Sequence, residues 1–274
     1  MPASFFVYLR PVAPSPLRGL VGRWLNGLLY HLVSEADPQL SARMHDDAET
    51  PRKPFTVSAL EGRFREQGGR RYAVPEEEYR VRFTMLTEAI QEALVQVLIR
   101  SNPGRRALTL GNDQWQLVRF GIAPRERDVW LGATSYVALA RAPRPDPWLT
   151  FHFASPTAFK ADKLHILFPE PRNVFRHLRE KWEAFSIAPL PEPEALTAFV
   201  ERHVEVSRYR LETGVLYADA YKLIGFVGHC TYHVREHDPT YLAALNTLAD
   251  FALYAGVGMK TTQGMGQARR VERA

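Results

Sequence analysis

Gly256-Val257-Gly258-Met259-Lys260-Thr261-Thr262-Gln263-Gly264-Met265-Gly266 is the most informative stretch of this chain. Its four glycines follow the pattern G-hydrophobic-G-x5-G-hydrophobic-G. A glycine pair lets a backbone take positive φ and approach another surface closely. Lys260, Thr261, Thr262 and Gln263 fill the middle, and all four side chains suit phosphate or sugar oxygens. Downstream, Arg269, Arg270 and Arg273 are opposed only by Glu272. The glycines of dinucleotide and P-loop fingerprints lie between a strand and the next helix. Here a helical pattern precedes them and a short strand follows, which excludes that cofactor reading. Helix capping by Gly256 accounts for one glycine and leaves three unexplained.

Upstream of the loop, Asp238-Pro239 reads as an N-cap with proline at N1, opening a helix that carries Leu242, Leu245, Leu248 and Leu253. Before it, Tyr209–Ala218 and Leu223–Val234 read as a hairpin. Arg172–Phe185 is expected to be a helix, with Phe175, Leu178, Trp182 and Phe185 on one face. Glu192–Val204 is expected as an inserted helix, Trp148–Phe153 as a first strand and Gln267–Glu272 as the last. The order is β-α-β-β-α-β.

The first half repeats it. Phe5–Leu9 is a strand, and Leu17, Leu20, Val21, Trp24, Leu25, Leu28, Leu29 and Leu32 make one helical stripe. Phe55, Val57 and Ala59 alternate with Thr56 and Ser58. Tyr79, Val81 and Phe83 alternate with Arg80 and Arg82, as half-buried strands do. A helix over Thr87–Arg100 and a strand over Trp115–Ile122 complete the unit. Three prolines in Arg141–Pro147 mark a stiff linker. The fold class expected is α+β: two tandem ferredoxin-like (RRM-like) units, residues 1–140 and 148–274.

Composition agrees with such a fold. The chain has 274 residues, 46% of them hydrophobic, enough for a sizeable core. No apolar run reaches the ~18–20 residues of a membrane span, and the N-terminus lacks the basic region of a signal peptide. The single Cys230 excludes an internal disulfide and multi-cysteine zinc sites, and the expected compartment is the reducing cytoplasm. A net charge of +5 permits a phosphate-bearing partner. Arginine supplies most of the positive charge, because only six lysines occur: Lys53, Lys160, Lys163, Lys181, Lys222 and Lys260.

The tandem order, the closing glycine loop and an early His45 together resemble the CRISPR-associated endoribonucleases that process repeat RNA, the sixth Cas family. Phe153-Ala-Ser-Pro-Thr-Ala-Phe-Lys160, Ile224-Gly-Phe-Val-Gly228 and Lys53-Pro-Phe-Thr-Val-Ser58 are similar to further stretches of that family. The resemblance covers nearly the whole chain. It implies cleavage of precursor RNA within its repeats, without metal or other cofactor, leaving a 2′,3′-cyclic phosphate and a 5′-hydroxyl. It implies CRISPR repeat RNA as partner, both precursor and mature guide, and leaves a CRISPR effector complex and a homodimer open. No membrane partner is expected. A non-catalytic RNA-binding subunit of a CRISPR ribonucleoprotein is the alternative. An unrelated tandem protein with a small ligand would leave the glycine loop unexplained.

Such cleavage needs a base for the 2′-hydroxyl, an acid for the leaving oxygen and cations or donors for the phosphate. Histidine titrates in the right range. His45 follows a short helix candidate ending at Met44 and lies in a polar loop. Tyr30 is expected on the polar side of the first helix with Arg23 and Asn26, to orient His45 or to donate to the phosphate; His31 is the alternative. Lys53, or Arg52, would stabilise phosphate charge. Asp46 and Asp47 would repel RNA phosphates, so at least one should point away. The RNA-binding set is Arg23, Lys160, Gly256, Gly258, Lys260, Thr261, Thr262, Gln263, Gly264, Gly266 and Arg269. His229, His233 and His237 repeat every four residues, but four residues of strand span ~13 Å, too far for one metal. No metal site is expected.

Overall fold

Phe5, Val7 and Leu9 point one way along the first strand and all three are buried, so the alternation expected from the sequence is what folds the chain here. The computed structural model describes residues 1–19, 21–46, 52–121, 128–141, 146–217 and 222–272. The first half comprises β1 (Ala3–Pro11), β2 (Ser15–Pro16), α1 (Val21–Ala36), α2 (Pro38–His45), β3 (Phe55–Val57), β4 (Arg65–Gln67), β5 (Arg70–Ala73), β6 (Tyr79–Met85), α3 (Glu88–Arg100), β7 (Ala107–Leu110), β8 (Asp113–Gly121), β9 (Gly132–Ala133) and α4 (Tyr136–Arg141). The second comprises β10 (Trp148–Thr157), β11 (Phe159–Ala161), β12 (Leu164–Ile166), α5 (Pro171–Phe185), α6 (Pro193–His203), β13 (Val204–Tyr217), β14 (Lys222–Val234), α7 (Pro239–Ala255) and β15 (Ala268–Val271).

Two antiparallel sheets carry the architecture. One has the order β3-β6-β1-β8-β7, with β9 also on β1; the other has β13-β14-β10-β15. In each, the strand entering the second helix lies between the first and second core strands, which is the split β-α-β arrangement of a ferredoxin-like unit. The fold is therefore α+β with two such units in tandem. Each sheet covers one face with its helices and has its own core, one around Phe5, Leu29, Phe83 and Trp115, the other around Phe151, Phe175, Trp182 and Phe251. Asp238 caps α7 as expected, its carboxylate accepting from the Thr240 and Tyr241 N–H groups. Thr87 stands at the N-cap of α3 but makes no side-chain cap bond.

Several expectations are corrected. The hairpins β4–β5 and β11–β12 and the strand β7 interrupt the expected order as short additions. These strands are only three or four residues long, too short for an apolar period to stand out, which is why a pattern search passes over them. Leu20, Ile122, Ala218 and linker residues 142–145 lie outside the described residues. The larger correction concerns the faces away from the helices. Thr56, Ser58 and Arg82, expected on the outward faces of half-buried strands, are buried, and so is Thr84 beside them. That side of the first sheet packs against the end of α7 and the start of β15. Thr84 donates from Oγ1 to the Tyr254 carbonyl at 2.6 Å. The Arg82 guanidinium donates to the Leu253 carbonyl, Ser4 Oγ and Gln267 Oε1. Burial pushes Arg82 down to about 9, with Glu61 and Asp128 opposing the shift. Single-sheet periodicity sees one core and cannot foresee a second surface arriving from 170 residues away.

Candidate functional site

Asp37 caps α2 by accepting from the Leu40 N–H at 2.8 Å, with Pro38 at N1, so the chain turns sharply after α1 and returns along it. Ser41 Oγ donates back to the Tyr30 carbonyl at 3.1 Å. The last carbonyls of α2 need donors, as every helix end does. Tyr30 supplies its hydroxyl to Met44 O at 3.1 Å. Lys53 supplies its ammonium to the same oxygen at 2.8 Å, and to His45 O at 3.4 Å. His45, the final residue of α2, is exposed and lays its imidazole flat on the Tyr30 ring, with centroids 3.7 Å apart and planes 18° apart. Phe55 meets the other side of Tyr30 edge-on at 5.5 Å. The structure thus brings His45, Tyr30 and Lys53 together around one helix terminus, where a cation also opposes the negative end of the helix dipole.

Tyr30 is not on the polar side of α1 as expected. It is 8% exposed, because α2 folds over that flank and converts it to core. Its hydroxyl is engaged with Met44, so its ring, rather than its oxygen, is what His45 meets. The alternatives are placed elsewhere. His31 pairs with Glu35 at 3.2 Å, and Arg52 pairs with Glu180 of α5 at 2.5 Å. Asp46 is exposed, and Asp47 lies outside the described residues.

The glycine loop joins this neighbourhood through β3, which follows Lys53 directly. The Val57 N–H donates to Thr261 O at 3.0 Å, and the Gly264 N–H donates to Val57 O at 3.0 Å. All four glycines have positive φ: 63° at Gly256, 81° at Gly258, 98° at Gly264 and 70° at Gly266. A Cβ on Gly266 would lie 2.1 Å from the Val257 carbonyl oxygen, and one on Gly258 would lie 2.5 Å from Ala158 O. Internal packing therefore accounts for more than the single capping glycine expected from the sequence. Gly256, Gly258, Gly264, Gly266 and Thr261 are all buried, Gly264 against Ala59 of the first unit and the other glycines within the second. Lys260, Thr262 and Gln263 stay partly exposed.

Two residues missed in the sequence hold the loop. Lys181 of α5, fully enclosed, donates to Ala255 O at the end of α7 and to Thr261 Oγ1 at 3.1 Å. Burial, then the charge of Arg52, pushes its ammonium down to about 7. Gly22 of α1 lets the loop touch the helix, since a Cβ there would sit 2.1 Å from Gln263 O. Exposed Arg23 stands next to that contact. Arg23, Gly27 and Tyr30 then follow one stripe of α1 over seven residues, ~10 Å of helix, toward His45. Lys160 is exposed on β11, two residues beyond Ala158, whose carbonyl accepts from the Met259 N–H. Arg269 is set apart, on the helix-free face of the second sheet opposite His152. No group of three or more metal-ligating side chains occurs among the described residues. No helix among them is long and apolar enough to cross a membrane.

A tandem ferredoxin-like protein with a histidine–tyrosine–lysine cluster beside an interdomain glycine loop is the class that fold and site define. Family models agree: the CRISPR Cas6 N-terminal domain matches residues 1–141, and the CRISPR-associated endoribonuclease Cas6 matches residues 151–268. The chain belongs to the Cas6 family. It is 30% identical over 144 residues to a CRISPR-associated endoribonuclease Cas6 of Streptococcus thermophilus, covering 52% of this chain and 58% of that one. It is 32% identical over 117 residues to a Mycobacterium tuberculosis Cas6, covering 43% and 37%. The matched segments thus span less than two thirds of these relatives. A solved Cas6 product complex superposes with a TM-score of 0.83 at 30% identity, covering 99% of both chains.

Proposed function

We propose that this chain cleaves CRISPR precursor RNA within its repeats, as an endoribonuclease that needs no metal. The observation that carries the reading is the exposed imidazole of His45 stacked on Tyr30, with the Lys53 ammonium held at the same helix end. In this reading His45 takes the proton of a 2′-hydroxyl. The 2′-oxygen bonds to the adjacent phosphorus, the bond to the 5′-oxygen breaks, and that oxygen takes a proton from solvent. The products are a 2′,3′-cyclic phosphate and a 5′-hydroxyl. Lys53 offsets the charge that accumulates on the phosphate. Tyr30 orients the imidazole through its ring.

The RNA path in this reading runs along α1 from Tyr30 past Gly27 to Arg23. It then meets Lys260, Thr262 and Gln263, with Lys160 near the loop's other side. Residues 1–140 carry the cutting group, and residues 148–274 carry most of the grip. The buried glycines shape the loop, and their part in RNA binding is to present those side chains.

Labelled repeat RNA incubated in EDTA with the protein and with His45→Ala tests this. Cleavage that survives EDTA, and is lost in the variant while binding persists, is the expected result. An unmutated protein that binds repeats but cuts none of them would make it a non-catalytic RNA-binding subunit instead.

A further inference from the structure

The sequence places His229, His233 and His237 four residues apart, and the site above uses none of them. Strand register shows what His229 does. On the helix-free face of the second sheet, Arg269 of β15 lies opposite His152 of β10. His152 lies opposite His229 of β14, and His229 opposite Arg210 of β13. Four strands therefore contribute one straight row, Arg269–His152–His229–Arg210, that contains no acid. At the usual strand spacing it is ~14 Å long. The two imidazoles are stacked, with centroids 4.4 Å apart and planes 7° apart.

No acid lies opposite either arginine in this row. Neither arginine makes a salt bridge among the described residues, and Arg269 Nε is buried without a partner. The next row holds Thr150 and Thr231, hydroxyls 2.9 Å apart, with Arg208 beyond them. A cavity of about 860 Å³ is lined by Thr150, Thr231, Arg208, Arg210, His229 and Arg269, with Glu272 the one acid among its described lining residues, and His152 borders an adjoining cavity together with Arg210 and His229. Trp130 from the first unit stands 6.0 Å from His152 and receives the guanidinium groups of Arg82 and Arg269 over its ring.

We propose that this face is a phosphate-binding platform, in which the four-residue row grips successive phosphate groups and the stacked histidine pair takes up a proton as they bind. The chemistry is that of a phosphate chain, whether the backbone of unpaired RNA or a nucleoside polyphosphate. The RNA source rests on the function proposed above; the nucleotide source does not.

The surroundings set the sign of the pH dependence. Burial, then His229, then Arg269 hold His152 below the ordinary histidine range in the empty protein. Asp128, the acid on the first unit's side, is occupied by Arg80 at 2.8 Å. Glu212 borders the adjoining cavity, and Glu272 this one. A phosphate against the outer side of the stacked pair favours protonated His152, so binding draws in a proton and strengthens as pH falls.

The test measures affinity for repeat RNA and, separately, for ATP at pH 6 and pH 8 and constant ionic strength. A His45→Ala background stops cleavage and removes that histidine's own titration. The platform predicts at least ~tenfold tighter binding at pH 6, the limit for one proton being tenfold per pH unit. His152→Asn with His229→Asn should flatten this to less than twofold, with an unchanged melting temperature reporting an intact fold. His229→Lys, a fixed cation at an exposed position, should bind at pH 8 nearly as tightly as the parent does at pH 6. A pH response with RNA alone assigns the backbone; one with ATP assigns the nucleotide. RNA that fails to bind at any pH overturns the proposed function, while the ATP arm still decides the platform. Identical pH curves for parent and double variant with both probes, or binding of neither, would overturn the platform.

Discussion

Gly27 separates two demands on α1. It sits in the interior of a sixteen-residue helix, exposed, and a Cβ built there meets nothing within 4 Å. Glycine in a helix interior costs ~0.8–1.0 kcal/mol relative to alanine, through backbone entropy. Nothing inside the protein requires that cost, unlike at Gly22, where the Gln263 carbonyl excludes a side chain. Gly27→Ala should therefore stabilise the fold by ~0.5–1 kcal/mol, a rise of about 1–4 °C in melting temperature for a chain of this size. The same methyl would stand on the Arg23–Tyr30 stripe, one helical turn from each. If RNA backbone lies against that stripe, the methyl pushes it away, and affinity for repeat RNA should fall about tenfold, ~1.4 kcal/mol. Calorimetric or fluorescence melting gives the first quantity, and filter binding with a non-cleaving His45→Ala background gives the second. A more stable protein that binds less tightly cannot be explained by unfolding. A more stable variant with unchanged affinity would refute the path along α1; a less stable one would refute the open-space reading of the helix.

Tyr30→Phe keeps the ring under His45 and loses the bond to Met44 O, so it should cost ~1 kcal/mol of stability while keeping most of the cleavage rate. Tyr30→Leu removes the stacking surface and should slow cleavage at least ~tenfold in single-turnover assays; equal rates for the two variants would remove the orienting role. Lys181 makes stability depend on alkaline pH. Its folded value of about 7 lies below the 10.5 of an ordinary lysine, so the unfolded chain binds more protons between those limits. Stability should then rise with pH across that window, by as much as ~1.4 kcal/mol per unit. Denaturant titrations of Lys181→Met should show a flatter profile over the same range, and a parallel profile would contradict the buried-ammonium account.

Much of the chain is legible from short-range pattern. Leucine spacing in α1 and α7, alternation in β1 and β6, and the Asp238-Pro239 cap each act within one element, and each is where the sequence placed it. His45 stood out chiefly through the family resemblance, because a histidine in a polar loop is by itself an ordinary surface feature. The glycine loop was visible as a local pattern, though its meaning changed: its glycines meet Ala158, Val257, Thr261 and Ala59 rather than open space.

What the sequence by itself determined is therefore the fold class, the two-unit order and the identity of the groups able to do chemistry. Those follow from periodicities of two and 3.6 residues and from side-chain type. Only the tertiary structure decided what each group faces. It turned Tyr30 from an edge residue into the floor under His45, buried Arg82 and Lys181 behind the loop, and set His152 beside His229 in a row that includes Arg210 and Arg269. These contacts join residues up to 185 positions apart, as Arg82 and Gln267 are. Register and interdomain packing, which no local period encodes, are what brought them together.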